Sequence, residues 1–506
     1  MKRFVCALLC LMLALGLVAC AAPSETPAAT DTPAAAEETP AAVSETPDAE
    51  SEGDLTTQVL VVGSGLAGLA TAVSAREQGA DCIVIEKMSM TGGTSRLSGG
   101  GIAAPGSKLQ KALGIEDSPE AYVEQWMGFQ AMTHREGMEN PDEARCLFVA
   151  SQGSDIIDWL MSYGYEFGDP TSFGLIEGVD RFHYPNNLED GQAGKMTEVA
   201  EQLGATVLLD TRATNLIVEN NRVVGVAVSQ GDKTFNIYAG AVVLATGGYS
   251  QNEDLIAELT PENLNTIHVA SPGNTGDGLI MARDIGAALY KNQWLMGMSY
   301  TVSSDPTNTL NNLGGPWSIN MMVDNTGTRF MNEFCHPTAY TMMITRNAGP
   351  YYSIYDSSNA DKAAILVENE GSEYLIKGDT LEELAQNAGF DAEAFLGFAE
   401  DWNSGIDAGK DSFGARIDYM TKLETGPFYA VRMTPQNMDS MGGIVTDTDA
   451  RVLREDGTAI EGLYAAGAIS NGALYDTAYM SGSSVLNCYV MGRIAGRNAA
   501  ADTDEN

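Results

Sequence analysis

The chain of 506 residues, 44% of them hydrophobic, is too long for one hydrophobic core and predicts two domains and a tail. Its 28 Lys and Arg residues against 68 Asp and Glu residues give a formal charge of −40. No basic cluster interrupts this acidity, which argues against a nucleic-acid partner.

Residues 1–20 have the pattern of a bacterial lipoprotein signal peptide. Two basic residues precede an apolar run from Phe4 to Ala19, which is too short for a comfortable membrane span. The run ends in Leu-Val-Ala-Cys, which resembles a lipobox and predicts that Cys20 carries a diacylglycerol. The alternative is an ordinary signal peptide cleaved at a small residue. Both interpretations predict export, and the first predicts a lipid anchor on the extracytoplasmic face of the cell membrane.

Residues 21–57 have the composition of a disordered tether. They contain five prolines, nine acidic residues and no Lys or Arg, with many Ala, Thr and Ser. Such a segment buries too little apolar surface to fold, so we expect an extended linker between the lipid and the folded part.

The next segment is a βαβ dinucleotide fingerprint. An apolar strand from Val59 to Val62 leads into a G-x-G-x-x-G motif, a helix and a second strand that ends in Glu86. The glycines permit a tight turn, close approach of a pyrophosphate and close helix–strand packing, while the acid binds a ribose hydroxyl. The residues predicted to bind the dinucleotide here are Gly63, Ser64, Gly65, Ala67, Gly68, Glu86 and Lys87. The alternative is a glycine turn in an ordinary α/β unit.

Three further glycine segments favour FAD over NAD. One follows the fingerprint at residues 92–101, and two others, at 241–249 and 462–468, are apolar strands that end in a glycine turn. A flavin domain needs such turns where its sheet meets the cofactor, whereas an NAD site does not need the second glycine loop. The predicted FAD contacts in these segments are Thr94, Ser95, Gly100, Gly101, Thr246, Gly247, Gly467 and Ala468.

Together with three other motifs, these segments resemble the flavoprotein of the fumarate reductase and succinate dehydrogenase superfamily. The motifs are G-N-T-G-D-G at 273–278, D-N-T-G-T-R-F-M-N-E at 324–333 and M-G-G-I at 441–444. The resemblance covers about residues 58 to 500 and is closest to the secreted fumarate and urocanate reductases. It adds Ala213, Asp277, Ser484 and Val485 as FAD contacts. It implies non-covalent FAD, since no histidine lies near residues 92–98.

The resemblance predicts an α/β fold: a Rossmann-like FAD-binding domain, with a helical insertion, and a smaller α+β capping domain. The FAD-binding domain comprises residues 58–292 and 440–500, and the capping domain residues 293–439. Within the insertion, at about residues 107–195, we expect helices at 119–133, 142–163 and 194–203. The final helix begins near Ser483.

The resemblance breaks at the substrate site. In this family a reduced flavin gives hydride to the β-carbon of an electron-poor alkene, and a side chain protonates the α-carbon. Fumarate reductases clamp the substrate carboxylates with two histidines and two arginines. By spacing, those four positions fall at Met298, Pro337, Met438 (with Asp439 following) and Tyr479. The missing guanidinium groups remove the bidentate grip on a dicarboxylate and argue against fumarate.

The residues that stand at these four positions, and their neighbours, include the predicted substrate-binding and catalytic residues. Met298, Met438 and Asp439 are the predicted substrate-binding residues. A methionine-rich wall suits a bulky apolar ligand, although each methionine taken singly is also ordinary core filler. Tyr479 is the first catalytic candidate, because a phenol donates a hydrogen bond or a proton, as tyrosines do in the related ketosteroid dehydrogenases. The alternative is a phenol that only packs.

Two weaker catalytic candidates lie in the cap. His336 titrates in a range that suits proton transfer, although His336-Pro337 also has the pattern of a plain turn. Tyr340 lies one helical turn further on. Arg329 and Glu333 are predicted to pair with each other within their hairpin rather than to act in catalysis.

The cysteines limit the source of electrons. Cys82, Cys146, Cys335 and Cys488 are scattered and form no C-x-x-C, so we predict no haem, iron–sulfur cluster or metal site within the chain. Electrons are therefore expected from an external donor, a membrane-linked flavoprotein or a cytochrome. The predicted function is reduction of an activated C=C bond in a small enone, aryl-acrylate or steroid-like acceptor. One alternative is a flavin-dependent ketone or ketosteroid dehydrogenase. The other is an inactive flavoprotein that binds a ligand or docks as a subunit.

Overall fold

A computed structural model describes residues 53–133, 137–139, 141–172, 178–313, 319–333, 343–344, 349–476 and 478–504. The predicted lipidation site Cys20 and the catalytic candidates His336 and Tyr340 lie outside the described residues. The backbone of Met298 is described but its side chain is not. Strand β1 begins at Leu55, two residues before the predicted end of the tether at residue 57.

The larger sheet has eight strands in the order β15-β16-β7-β8-β1-β2-β5, with β6 paired to β7. Its strands are β1 Leu55–Val62, β2 Cys82–Ile85, β5 Thr206–Leu208, β6 Arg212–Glu219, β7 Arg222–Gln230, β8 Lys233–Leu244, β15 Arg451–Leu453 and β16 Ala459–Ala465. Strand β1 is central and parallel to both neighbours, with Val62 opposite Ile85 on one side and Leu244 on the other. Because parallel strands end at the same edge, the turns that follow these three residues lie side by side.

Helices cover both faces of this sheet and form the insertion. They are α1 Leu66–Glu77, α2 Lys108–Ala112, α3 Pro119–Thr133, α4 Glu143–Ser151, α5 Gly153–Ser162, α6 Gly191–Gln202, α7 Glu253–Leu259, α8 Asp277–Asp284 and, at the end of the described chain, α12 Ser483–Asp504. The insertion also holds the short hairpin of β3 Ile102–Ala103 and β4 Phe182–His183. No helix among the described residues has the length and apolar character needed to cross a bilayer.

The prediction of one continuous helix in the middle of the insertion is wrong. The helix expected over 142–163 is two helices, α4 and α5, which meet at Gln152. At this point the chain packs closely against the residue that follows β3, because a Cβ built on Gly153 would lie 2.8 Å from Ala104 Cα. The backbone turns at this contact, which involves residues distant in sequence and has no counterpart in the apolar pattern of the helix itself. The expected helices at 119–133 and near Ser483 are confirmed.

The second sheet has six strands in the order β10-β14-β12-β11, with β9 and β13 also paired to β14. The strands are β9 Ile267–His268, β10 Trp294–Thr301, β11 Met322–Val323, β12 Tyr351–Tyr355, β13 Leu375–Gly378 and β14 Phe428–Met441. Helices α9 Ala360–Glu368, α10 Leu381–Ala388 and α11 Ala392–Ala408 accompany this sheet. The long strand β14 runs out of this sheet into the M-G-G motif, so it carries the second sheet to the edge of the first.

A buried ion-pair cluster lies beneath the second sheet. The predicted pairing of Arg329 with Glu333 is confirmed: Nε and Nη2 donate to Oε1 and Oε2 at 2.9 and 2.7 Å. The sequence analysis missed the third member, Asp411, which accepts from Nη1 at 2.6 Å. The guanidinium also lies over the rings of Trp402 and Phe413, at 4.6 and 4.7 Å from the ring centroids. The cluster is therefore structural rather than catalytic.

Candidate active site

A cavity of about 360 Å³ opens at the edge of the larger sheet where β1, β2 and β8 end. It also reaches β10 and β14 of the second sheet. The predicted FAD contacts that line it are Gly63, Ser64, Gly65, Ala67, Glu86, Lys87, Thr94, Ser95, Gly100, Gly101, Ala213, Thr246, Gly247, Asp277, Gly467, Ala468, Ser484 and Val485. One cavity thus brings together residues that are spread over more than 400 positions of the chain.

Gly68 is the exception among the predicted FAD contacts, because it does not line the cavity. A Cβ at this position would lie 2.0 Å from the carbonyl oxygen of Gly63. Gly68 therefore allows α1 to pack closely against the turn. It does not lie at the cavity as the direct FAD contact that the sequence had predicted.

Gly65 leaves the space beside the backbone that a bound pyrophosphate needs. Its φ of −66° and ψ of 175° suit any residue, and a Cβ would find no protein atom nearer than Ser95 Oγ at 3.7 Å. Neither backbone conformation nor packing therefore demands glycine here. The space that a Cβ would fill is part of the cavity, where a ligand has to approach the backbone closely.

The N-terminus of α1 faces this space. Gly65 is the N-cap, the first turn carries no acidic residue, and Ser95 Oγ accepts a hydrogen bond from Leu66 N at 3.2 Å. The other N–H groups of the first turn and the positive end of the helix dipole attract an anion. The position suits the pyrophosphate of a dinucleotide.

Glu86 lies at the end of β2 and is buried. Its Oε2 accepts hydrogen bonds from the backbone N and the hydroxyl of Ser64 at 3.0 and 2.6 Å, and its Oε1 accepts from Met88 N at 3.0 Å. A carboxylate offers about four acceptor positions, so these three bonds leave one on Oε1. This fits the predicted hydrogen bond to a ribose hydroxyl.

Replacing Gly65 with alanine is expected to weaken FAD binding by about 10- to 100-fold, equivalent to the 1–3 kcal/mol of an overpacked contact. The added methyl group would occupy the space of the pyrophosphate, while the fold should stay intact because no protein atom is displaced. Flavin content after dialysis and the dissociation constant from flavin fluorescence measure the effect. Gly397→Ala on α11, where a Cβ meets no atom within 4 Å, is the matched control. Equal flavin content in both variants would show that no cofactor atom approaches Gly65.

Lys87 and Asp277 are engaged with each other at the cavity wall. Lys87 Nζ donates to Thr275 Oγ1 at 2.6 Å and to Asp277 Oδ2 at 3.1 Å, and Arg212 donates to both oxygens of the same carboxylate. Burial acts to raise the pKa of Asp277, but the hydrogen bonds from Arg212 and Thr275 and the charge of Lys87 outweigh it and lower that pKa. Lys87 is therefore held in an ion-pair cluster, in which it shares one carboxylate with Arg212, and is not a free anion-binding group.

Thr246 lines the cavity, but its hydroxyl group points toward helix α8. Its hydroxyl is buried without a hydrogen-bond partner among the described residues. A Cβ on Gly278 would lie 2.2 Å from this oxygen, so the hydroxyl faces the start of α8.

The second sheet brings the predicted substrate residues together. In the β10–β14 pairing, Met296 lies opposite Asp439 and Gly297 opposite Asn437, with shifts in register on both sides of Gly297. The irregular pairing leaves Met298 and Met438, on neighbouring strands, without register partners. Such bulges redirect side chains and are frequent beside active sites. Of the predicted substrate residues, Met438 and Asp439 line the cavity.

Tyr479 lines the same cavity and is 7% exposed. Its loop is held by α3 of the insertion: Tyr122 Oη donates to the carbonyl oxygen of Ser481 at 2.8 Å, and Gln130 Nε2 donates to that of Ala478 at 2.6 Å. Gln130 Oε1 also accepts from Asp476 N at 2.9 Å. These bonds hold the backbone on both sides of Tyr479, so the helical insertion positions this phenol.

A model of the FAD binding domain family, FAD_binding_2, matches residues 58–486. The chain belongs to this family. It is similar to the probable fumarate reductase Ifc3 of Shewanella frigidimarina, with 32% identity over 455 residues that cover 88% of this chain and 75% of the relative. The digoxin reductase of Eggerthella lenta is 30% identical to this chain over 498 residues, which cover 88% of this chain and 87% of the relative.

A solved structure agrees with this assignment. The open conformation of a flavocytochrome c3 fumarate reductase has a TM-score of 0.67 and 31% identity, and covers 89% of this chain and 79% of that chain. The predicted α/β class, FAD as the cofactor and the superfamily are thereby confirmed. As a member of the FAD binding domain family, the protein is a flavin-dependent oxidoreductase that acts on CH–CH groups.

The sequence analysis did not predict several residues that line this flavoprotein's cavity, among them Asn274, Met296, Tyr184 and Cys488. Asn274 lies within the recognised G-N-T-G-D-G motif, and a polar side chain among glycines was the signal available. Met296 lies two residues before a predicted clamp position. Tyr184 and Cys488 reach the cavity only through the fold of the insertion and of α12, and no local pattern marks them.

Proposed function

We propose that this flavoprotein reduces an activated C=C bond in a neutral or weakly charged acceptor, such as an enone, an aryl-acrylate or a steroid-like compound. The observation that carries the proposal is the chemistry of the cavity wall. Among its described lining residues the basic side chain is Lys87, which is paired with Asp277, and Met438, Asp439 and Tyr479 occupy the clamp region. Among these described residues a dicarboxylate would meet no bidentate cation.

Reduced FAD supplies a hydride, and the residues of this chain supply the rest. The hydride bonds to the β-carbon, the C=C π bond breaks, and a proton bonds to the α-carbon. Tyr479 is the proton source or hydrogen-bond donor, because its phenol lies in the cavity wall on a loop held by α3. Met296 and Met438 provide an apolar, adaptable surface for the body of the acceptor. The name of the similar digoxin reductase supports an acceptor other than fumarate.

Anaerobic assays with the holoenzyme and dithionite-reduced methyl viologen test the proposal. Enones and aryl-acrylates should reoxidise the dye, and fumarate should do so far more slowly. Bleaching of the oxidised flavin by saturated ketones would instead establish desaturation. Absence of turnover with the whole panel, despite bound FAD, would favour a binding or docking role.

The second part of the proposal concerns location. The lipobox at Cys20 and the acidic tether support an exported enzyme that is lipid-anchored on the extracytoplasmic face and receives electrons from a membrane-linked flavoprotein or cytochrome. In a bacterial host, Cys20→Ala should abolish incorporation of labelled palmitate and release the enzyme from washed membranes. Unchanged labelling and fractionation of this variant would exclude Cys20 as the anchor.

A further inference from the structure

Asp439 is an acid in the part of the cavity that the proposed function assigns to the substrate. It lies near the end of β14, opposite Met296 of β10, and lines the cavity beside Met438. The remaining acidic residues of the lining, Glu86 and Asp277, are engaged elsewhere by Ser64 and by Lys87 and Arg212. Asp439 has no cation of this kind among the described residues.

Within the described part of the chain, the hydrogen bonds of Asp439 all fall on one oxygen. Asn274 Nδ2 and the backbone N of Ser440 both donate to Oδ1, each at 2.8 Å. The orientation of the Asn274 amide is set independently, because its Oδ1 accepts from the backbone N of Ser250 at 2.9 Å. Asn274 therefore presents N–H to Asp439. When the carboxyl is protonated, the proton resides on Oδ2, the oxygen that the described protein groups leave to the cavity.

The surroundings favour the neutral acid. Burial raises the pKa of Asp439 to about 6, although the hydrogen bonds from Asn274 and Ser440 act to lower it. Burial also raises the pKa of Cys488 on α12 to about 12 and that of Tyr249 after β8, so both stay uncharged near neutral pH. His268 on β9 bonds through Nδ1 to Asn437. The remaining titratable groups among the described lining residues are the phenols of Tyr184 and Tyr479.

We propose that Asp439, as a carboxylic acid, donates a hydrogen bond from Oδ2 to the carbonyl oxygen of a neutral α,β-unsaturated substrate. This rests on the proposed function and adds the residue that recognises the activating group. Negative charge develops on that oxygen as hydride reaches the β-carbon, and a donor aimed at it stabilises the transition state.

The sign of the pH dependence follows from the raised pKa. The acid form prevails below about pH 6 and falls tenfold for each further pH unit, so binding of a neutral carbonyl ligand should weaken as the pH rises. Asp439→Asn should remove this dependence: its Oδ1 still accepts from Asn274 and Ser440, and its Nδ2 donates to the cavity at every pH. Asp439→Leu has a similar size and offers no donor.

The test uses the holoenzyme with oxidised FAD, titrated with cyclohex-2-enone and with a 4-en-3-one steroid at pH 5 and pH 8. Calorimetry and flavin absorbance report binding without turnover, and flavin content confirms folding of each variant. We expect wild-type affinity to fall at least about tenfold between the two pH values. Asp439→Asn should bind equally at both, and Asp439→Leu should be weak at both.

The outcomes separate this inference from the proposed function. Wild-type binding that is independent of pH, with Asp439→Leu equal to wild type, would overturn the inference even if enones are reduced. Enone binding that follows Asp439 as expected, in an enzyme that reduces no member of the panel, supports the inference while the proposed function fails. Loss of turnover in Asp439→Asn with intact binding would also overturn the hydrogen-bonding role, since it would require transfer of a proton from Asp439.

Discussion

Replacing Tyr479 with phenylalanine should lower kcat for enone reduction by about 10²- to 10³-fold, the usual cost of removing a positioned proton or hydrogen-bond donor. FAD binding should be unchanged, because the substitution removes one oxygen from the cavity wall and leaves the ring in place. The loop remains held by Tyr122 and Gln130, whose bonds involve backbone atoms. Stopped-flow reoxidation of the reduced enzyme by an enone measures the effect on the chemical step.

The neighbouring Tyr475 provides the control. Its ring lies 5.8 Å from that of Tyr479, and its hydroxyl bonds to Ser483 Oγ rather than facing the cavity. Tyr475→Phe should cost about 1 kcal/mol of stability and leave kcat within a few-fold of wild type. If Tyr479→Phe retains full turnover, the phenol only packs. Equal losses in both variants would indicate general damage to the loop.

Replacing Arg329 with methionine should destabilise the protein by about 3–5 kcal/mol. The substitution would leave two buried carboxylates, Glu333 and Asp411, without their shared cation. It would also remove the contacts of the guanidinium with Trp402 and Phe413. Urea unfolding followed by circular dichroism measures the change in midpoint. The turnover of the variant that is still folded should stay near that of wild type, because Arg329 does not line the cavity.

Arg451→Gln is the matched control for this prediction. Arg451 also pairs with an acid four residues away, Asp447, but its side chain is half exposed. Exposed pairs of this kind contribute only about 0–1 kcal/mol, so its unfolding midpoint should hardly move. If both substitutions change the midpoint equally, burial of the Arg329 cluster has no special energetic role.

The cofactor half of the site was predictable from the sequence, because its determinants are local. Glycine spacing after a strand specifies a backbone turn, and the helix that follows places its N-terminus at that turn within a few residues. Gly63, Gly65 and Glu86 lie at the cavity as predicted. Gly68 packs against Gly63 rather than lining the cavity, but it belongs to the same motif.

The substrate half depends on contacts between distant segments. Spacing located Met438 and Asp439, but the pairing of β14 with β10 decides that Met296 lies beside them at the cavity. The protonation of Asp439 depends on its burial and on Asn274, which is 165 positions away. Asp411 likewise reaches Arg329 across 82 positions, and no pattern near either residue announces the pairing.

By itself the sequence determined the fold class and the FAD fingerprint, because each is a matter of residue type at short spacing. Only the tertiary structure decided which distant side chains line the same cavity and how burial shifts the pKa of Asp439. Those properties depend on strand register, burial and hydrogen bonds between residues far apart in the chain, which no local pattern records.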